Sequence, residues 1–185
     1  MTGLEQSVVL TADDGSLGPL LRVADDRLPP GGGYGGHEHR AVDVVAVVLA
    51  GELRHTWGAG ARLGAGDVGV LRAGAGLTHD EVAGDDGARV LQAYLRSAAP
   101  HAAAAYGVVG APRGWVELER PDALLWVARL APGTAVRAPA GLRLVAGPDG
   151  VRAAPRPEEE VAAADGVTTV VVWQLDVARP AWAGG

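Results

Sequence analysis

The chain has 185 residues, a formal net charge of -6 and 48% hydrophobic content, which suits one folded domain or two small joined ones, not a disordered segment. It contains no Cys and no Lys, which excludes a thiol nucleophile, a disulfide, a Cys-ligated zinc or iron–sulfur cluster, a Walker A loop and a Schiff base. The acidic balance without a basic cluster argues against direct nucleic-acid binding. Ser7, Ser16 and Ser97 sit in no G-x-S-x-G elbow, so His, Asp, Glu and Arg remain for chemistry.

In chain order, the start "MTGLEQSVVLTADDG" has acids where a signal peptide needs bases. The longest apolar run, residues 44–50, is far short of the ~20 residues that span a bilayer. The expectation is a cytoplasmic protein with no membrane partner. "GGGYGG" fits neither G-x-G-x-x-G spacing nor a strand-to-helix context, and reads as turns and a mobile loop, with a role as a flap over a pocket.

Short Val/Leu-rich runs broken by Gly, Pro or Asp turns follow. Strands are expected over 42–50, 52–57, 68–71, 77–82 and 88–96, with turns at "GAGA", "GAGD", "AGAG" and "GDDG". Residues 97–106 read as a linker with a helical turn. A second β-rich stretch begins near Gly114, with strands over 123–130, 134–137, 142–145 and 168–177 and a polar loop around "RPEEEV". The class is therefore all-β, an antiparallel sandwich or barrel, with a faint echo of duplication between the halves. Residues 1–106 form the expected N-terminal unit and residues 107–185 the second.

Two pairs carry chemistry. Side chains at i and i+2 of a strand share a face, so His37 and His39 stand side by side, and His79 and Glu81 do the same forty residues on. Either pair alone occurs by chance on solvated strands. Converging inside a small barrel, they offer three imidazoles and a carboxylate, which suits a divalent first-row metal with open positions. Glu38 and Asp80 alternate with them and point away. His55 is tied to neither pair by spacing, and His101, in an alanine-rich linker, reads as a surface residue.

"HEHRAVDVVAVVLAGE" (37–52), "GELRHTWGAGARLGAGDV" (51–68) and "RAGAGLTHDE" (72–81) resemble the motifs of the pirin family over roughly residues 25–97. The resemblance implies a cupin fold (a double-stranded β-helix, or jelly-roll barrel) in a bicupin whose C-terminal half is shortened and degenerate. It places His37, His39, His79 and Glu81 on the family's four metal ligands and His55 at the pocket rim or behind the ligands. Asp43, one methylene shorter than the motif's Glu, takes a supporting place near the ligands. Arg40, beside them, either binds an anionic substrate or makes a surface salt bridge. The chain departs from the motifs at Glu38, Ala41-Val42, Asp43 and Asp80, and no departure removes a ligand. The second half has no histidine beyond residue 101 and cannot repeat the site.

The resemblance implies one metal, Fe(II) first, with Zn, Mn, Ni, Co or Cu as alternatives. Some bacterial pirins resemble flavonol dioxygenases, so a dioxygenase acting on an aromatic flavonol such as quercetin is expected, with Glu81 both ligand and base. The competing readings are a non-catalytic, metal-dependent regulator that binds protein partners and, less favoured for lack of a sugar-binding aromatic set, a cupin isomerase or sugar-binding protein.

Overall fold

The structure, a computed structural model, describes residues 3–178. Among these there are sixteen strands and no helix, hence no helix long and apolar enough to cross a membrane. The strands are β1 (Glu5–Thr11), β2 (Leu20–Leu28), β3 (His37–His39), β4 (Val42–His55), β5 (Ala61–Gly64), β6 (Val68–Arg72), β7 (Leu77–His79) and β8 (Glu81–Arg96), then β9 (Ala105–Val109), β10 (Gly114–Val116), β11 (Ala123–Leu130), β12 (Ala135–Ala138), β13 (Gly141–Gly147), β14 (Gly150–Arg156), β15 (Glu159–Ala162) and β16 (Thr168–Leu175).

One sheet runs β1-β2-β8-β4-β6-β9, with β5 paired to β4, and faces the two-stranded β3–β7. The other runs β10-β11-β16-β13-β14 and is accompanied by β12–β15. The order β2-β8-β4-β6 in the first half reappears as β11-β16-β13-β14 in the second, with a short two-stranded ribbon inserted at the same places in the chain. The echo in the sequence is thus a repeated jelly roll, and the architecture is an all-β bicupin with a shortened second half. In that half the ribbon strands read Ala135-Val136-Arg137-Ala138 and Glu159-Glu160-Val161-Ala162 where the first half carries its histidines.

Several expectations are corrected. Residues 42–55 form one strand, because the chain bends at Gly51 without leaving the sheet. Gly51 has φ 72, and a Cβ there would lie 2.0 Å from the Gly87 carbonyl oxygen, so no side chain fits that crossing. "GDDG" is no hairpin turn but an excursion within β8: Leu53 pairs with Ala83 and Gly51 with Ala88. Residues 97–104 form turns and no helix, and β9 beyond them pairs with β6. The end of "RPEEEV" is strand β15, and β1 and β2 precede every strand expected from the pattern.

These irregularities decide which side chains enter the lumen. On β4, Val45, Val47 and Leu49 face the second half, while Ala46 and Val48 face inward. Period two alone would put residues 53 and 55 with Val47. The register shifts between Val48 and Ala50 and between Gly51 and Leu53 reverse the parity, so Leu53 packs inward beside Val48 and His55 follows it. The excursion at 84–87 does the same on β8: Ala83 and Val90, of opposite parity, share the inner cluster.

The largest apolar cluster lies between the halves. It joins Leu20, Val47, Val68 and Leu95 to Leu125, Leu144, Val171 and Trp173, as in two sheets packed face to face. Arginines cross this seam: Arg89 donates to the Gly147 carbonyl oxygen at 2.7 Å, Arg129 to that of Leu49 at 2.8 Å, and Arg120 to that of Arg96 at 2.9 Å.

Candidate metal centre

Strand pairing assembles the site. In the β3–β7 ribbon His37 lies opposite His79, and in the β4–β8 ribbon His55 lies opposite Glu81. Only Asp80 separates β7 from β8, so residues two apart are handed to different partner strands while both face inward. The result is two overlapping groups, His37–His39–His79 and His55–His79–Glu81, each with ligand atoms within 4.8 Å of one another. The structure thus brings the four expected ligands into adjoining clusters and adds His55 beside His79 and Glu81.

Hydrogen bonds fix how the imidazoles present themselves. The Gly35 carbonyl oxygen lies 2.7 Å from His37 Nδ1 and can only accept, so Nδ1 carries a proton and, in the neutral ring, Nε2 is the nitrogen left with a lone pair. That Nε2 is 3.0 Å from His39 Nε2. His79 Nδ1 lies 2.8 Å from His55 Nε2, which leaves His79 Nε2 buried without a partner. A buried ring nitrogen without a partner costs free energy, and here it lies among two other imidazoles. A cation shared by these nitrogens relieves both the orphaned atom and the close Nε2 pair, so the residues present fit a divalent metal.

The electrostatics agree with a ligand role. Burial, reinforced by the neighbouring histidines, pushes His79 down to about 3 and His55 and His39 down to about 4, so all three are neutral at pH 7. Glu81, 4% exposed, is pushed up to about 7 by burial, with the Gln92 hydrogen bond opposing the shift. An uncompensated buried carboxylate of this kind gains most from an adjacent positive ion.

The "GGGYGG" segment, expected to be a mobile loop or flap, is stitched to β8. Tyr34 N–H donates to the Glu81 carbonyl oxygen at 3.1 Å, Ala83 N–H to that of Gly32 at 2.7 Å, and Gly31 N–H to that of Gly84 at 3.2 Å. A Cβ at Gly33 would lie 2.6 Å from the Glu81 carbonyl oxygen, so this close approach needs glycine. The segment supplies the carbonyl that orients His37.

Asp43 is placed elsewhere. It shares the face of Val45 and Val47, looks towards the second half and accepts from Arg120 at 2.6 Å, while Arg120 also binds Asp122 at 2.7 Å. Arg40 is exposed and lies 3.7 Å from Glu38, a surface ion pair outside the lumen. Glu38 and His101 are exposed and Asp80 is half-buried.

Residues that the motifs did not single out complete the lumen. Tyr106 of β9 stacks on His55, with centroids 3.7 Å apart and planes 5° apart. The Tyr34 hydroxyl donates to Asp26 at 2.8 Å, and burial raises the Asp26 carboxyl above its usual range. Gln92, 1% exposed, donates to Glu81 Oε2 at 2.8 Å. A lone amide in the apolar run "RVLQAYL" was a legible signal for Gln92, whereas nothing local marked Asp26 or Tyr106.

Fold and site together define a cupin-type β-barrel with a histidine–carboxylate cluster in its first lumen. Residues 11–95 match the family model described as Pirin, so this segment of the chain is similar to the pirin family. A Zymomonas mobilis protein that bears quercetin 2,3-dioxygenase as a provisional name is 41% identical over 59 residues, 31% of this chain and 25% of that protein. A Pseudomonas aeruginosa protein with the same provisional name is 43% identical over 51 residues, 26% of this chain and 18% of that protein. The matched segments therefore span a quarter or less of these curated relatives.

Among solved structures, the Escherichia coli pirin YhhW in complex with nickel(II) superposes with a TM-score of 0.68 at 16% identity, covering 94% of this chain and 92% of that one. A quercetin 2,3-dioxygenase from Acinetobacter baumannii gives 0.65 at 18% identity, covering 97% and 83%. At these identities the likeness is one of fold.

Proposed function

We propose that this chain is a pirin-type cupin that binds one divalent transition metal, iron first, through His37, His39, His79 and Glu81, and acts as a dioxygenase on flavonols such as quercetin. The observation that carries the reading is the convergence of ring nitrogens: His37 Nε2 carries a lone pair, His39 Nε2 lies 3.0 Å away, and buried His79 Nε2 has no partner. The provisional names of the curated relatives and the A. baumannii neighbour support the substrate class. When bound, a redox-active metal with open positions supplies Lewis acidity towards an enol oxygen and electron exchange with dioxygen.

The chain's own residues bind, shield and move a proton. Glu81 Oε2 is occupied by Gln92, which leaves Oε1 to take the proton of the substrate's enolic hydroxyl. Tyr34, Tyr94 and Tyr106 wall the lumen with rings and exclude water from the reacting oxygen.

Elemental analysis of the purified protein, followed by oxygen-uptake measurements with quercetin on protein loaded with Fe(II) and the alternative metals, tests the reading. Oxygen uptake that scales with bound metal supports it. Metal-loaded protein that consumes no oxygen with any flavonol, yet captures a protein partner in a metal-dependent manner, would replace it with the regulatory reading.

A further inference from the structure

Gln92 is 1% exposed on β8, two residues from buried Val90 and opposite the buried Ala24 of β2 and Ala46 of β4. Burying a primary amide there is costly unless its hydrogen bonds are met. They are met in one orientation. The Tyr94 hydroxyl donates to Gln92 Oε1 at 3.0 Å, and Gln92 Nε2 donates to Glu81 Oε2 at 2.8 Å. The flipped amide would set its carbonyl oxygen against a carboxylate oxygen, acceptor against acceptor. The ring of Tyr94 also lies against His39, with centroids 5.8 Å apart.

We propose that Gln92 and Tyr94 form a positioning relay that aims the Glu81 carboxylate at the metal and, through the Tyr94 ring, steadies His39. One tyrosine thereby couples the two overlapping clusters: it touches His39 of the first and, through Gln92, governs Glu81 of the second. Neither residue ligates. Gln92 holds Oε2 and so fixes the orientation of the carboxylate, and Tyr94 holds the amide so that it donates to Glu81. The inference rests on the reading that Glu81 serves a metal, and it does not depend on flavonol turnover.

The test uses Co(II), whose visible bands report coordination geometry, on the full chain as wild type, Gln92→Leu and Tyr94→Phe. Each is titrated against a competing chelator, and thermal melts of the metal-free proteins report folding separately. Removing the partners of ligating groups commonly weakens metal affinity by ~10–100-fold. Gln92→Leu is expected to weaken Co(II) binding by about that factor and to shift its bands. Tyr94→Phe should move both in the same direction by less. If both variants fold and bind Co(II) with wild-type affinity and bands, the relay is overturned, even where melting temperatures fall. If Gln92→Leu does not fold, Tyr94→Phe, which removes one hydroxyl, decides alone. Wild type that binds no Co(II) would overturn the metal reading and the relay together. Normal Co(II) effects with no flavonol turnover would leave the relay standing and the dioxygenase reading rejected.

Discussion

His79 Nδ1 and His55 Nε2 lie 2.8 Å apart, joining a ribbon strand to a strand of the main sheet inside the first lumen. The tautomer matters. If His55 donated to His79 Nδ1, the proton of neutral His79 would sit on Nε2 and block that nitrogen as a ligand. Metal binding through Nε2 requires the reverse, with His79 donating and His55 accepting.

His55→Ala should therefore weaken metal binding although His55 need not touch the metal. A loss of ~10–100-fold in affinity, measured by chelator competition on folded protein, is expected. His55→Gln, which offers an acceptor, should recover part of it. Wild-type affinity in His55→Ala would remove the tautomer argument.

The metal-free protein should gain stability as pH rises from about 4 to 6.5. His79, held near 3 in the fold, and His39 and His55, held near 4, take up protons more readily once unfolded, where a histidine titrates near 6.5. Acid therefore favours the unfolded chain throughout that window. Glu81 has the opposite sign: raised to about 7, its contribution is present below its unfolded value near 4.5 and fades as pH rises through about 7. Asp26 and Asp43, also raised by burial, share the sign of Glu81, but the three histidines carry the larger shifts across this window, so the melting temperature should climb up to pH 6.5. The climb should be smaller in His79→Ala, and an unchanged profile in that variant would count against the assignment.

Arg120 should be among the most costly residues to lose. It is 8% exposed and lies between Asp43 and Asp122, themselves 5% and 4% exposed, with one aspartate in each half. Arg120→Ala removes the guanidinium that these two buried carboxylates share, and breaking a buried ion pair in this way costs ~3–5 kcal/mol. Urea unfolding measures it, and a change under about 1 kcal/mol, as for an exposed ion pair, would show that water reaches the triad.

Metal should bind at one equivalent per chain. Ribbon strands β12 and β15 of the second half carry Arg137, Glu159 and Glu160 but no imidazole. Carboxylates alone rarely hold a first-row metal tightly. Elemental analysis should find one ion in wild type and none in the double variant His37→Ala, His79→Ala. Two ions per chain would contradict this.

The pair His37 and His39 was legible because period two is a local rule that needs only a strand, whereas the strand expected over 77–82 is split at Asp80, so His79 and Glu81 reach the same lumen from β7 and β8. The all-β class, an antiparallel sandwich or barrel, followed from the same short runs, and the jelly roll from the family resemblance alone. Parity changes were harder to read. The bulges around Gly51 and the excursion at 84–87 turn His55 and Gln92 inward, and their geometry depends on backbone contacts between β4 and β8. Asp43 was assigned to the neighbourhood of the ligands from its place in the motif. Its partner Arg120 lies 77 positions further on, so the sequence near Asp43 carried no sign of the seam.

Oxygen uptake per bound metal, compared between wild type and Glu81→Gln with quercetin as substrate, tests the central claim most directly. The glutamine keeps an oxygen donor beside three imidazoles while removing the basic carboxylate, so much of the metal should stay bound. General-base contributions run to ~10²–10⁴-fold, and uptake per metal should fall by about that much. His79→Ala should lose metal and uptake together. Equal uptake per metal in wild type and Glu81→Gln would contradict the account, because Glu81 would then not be the base.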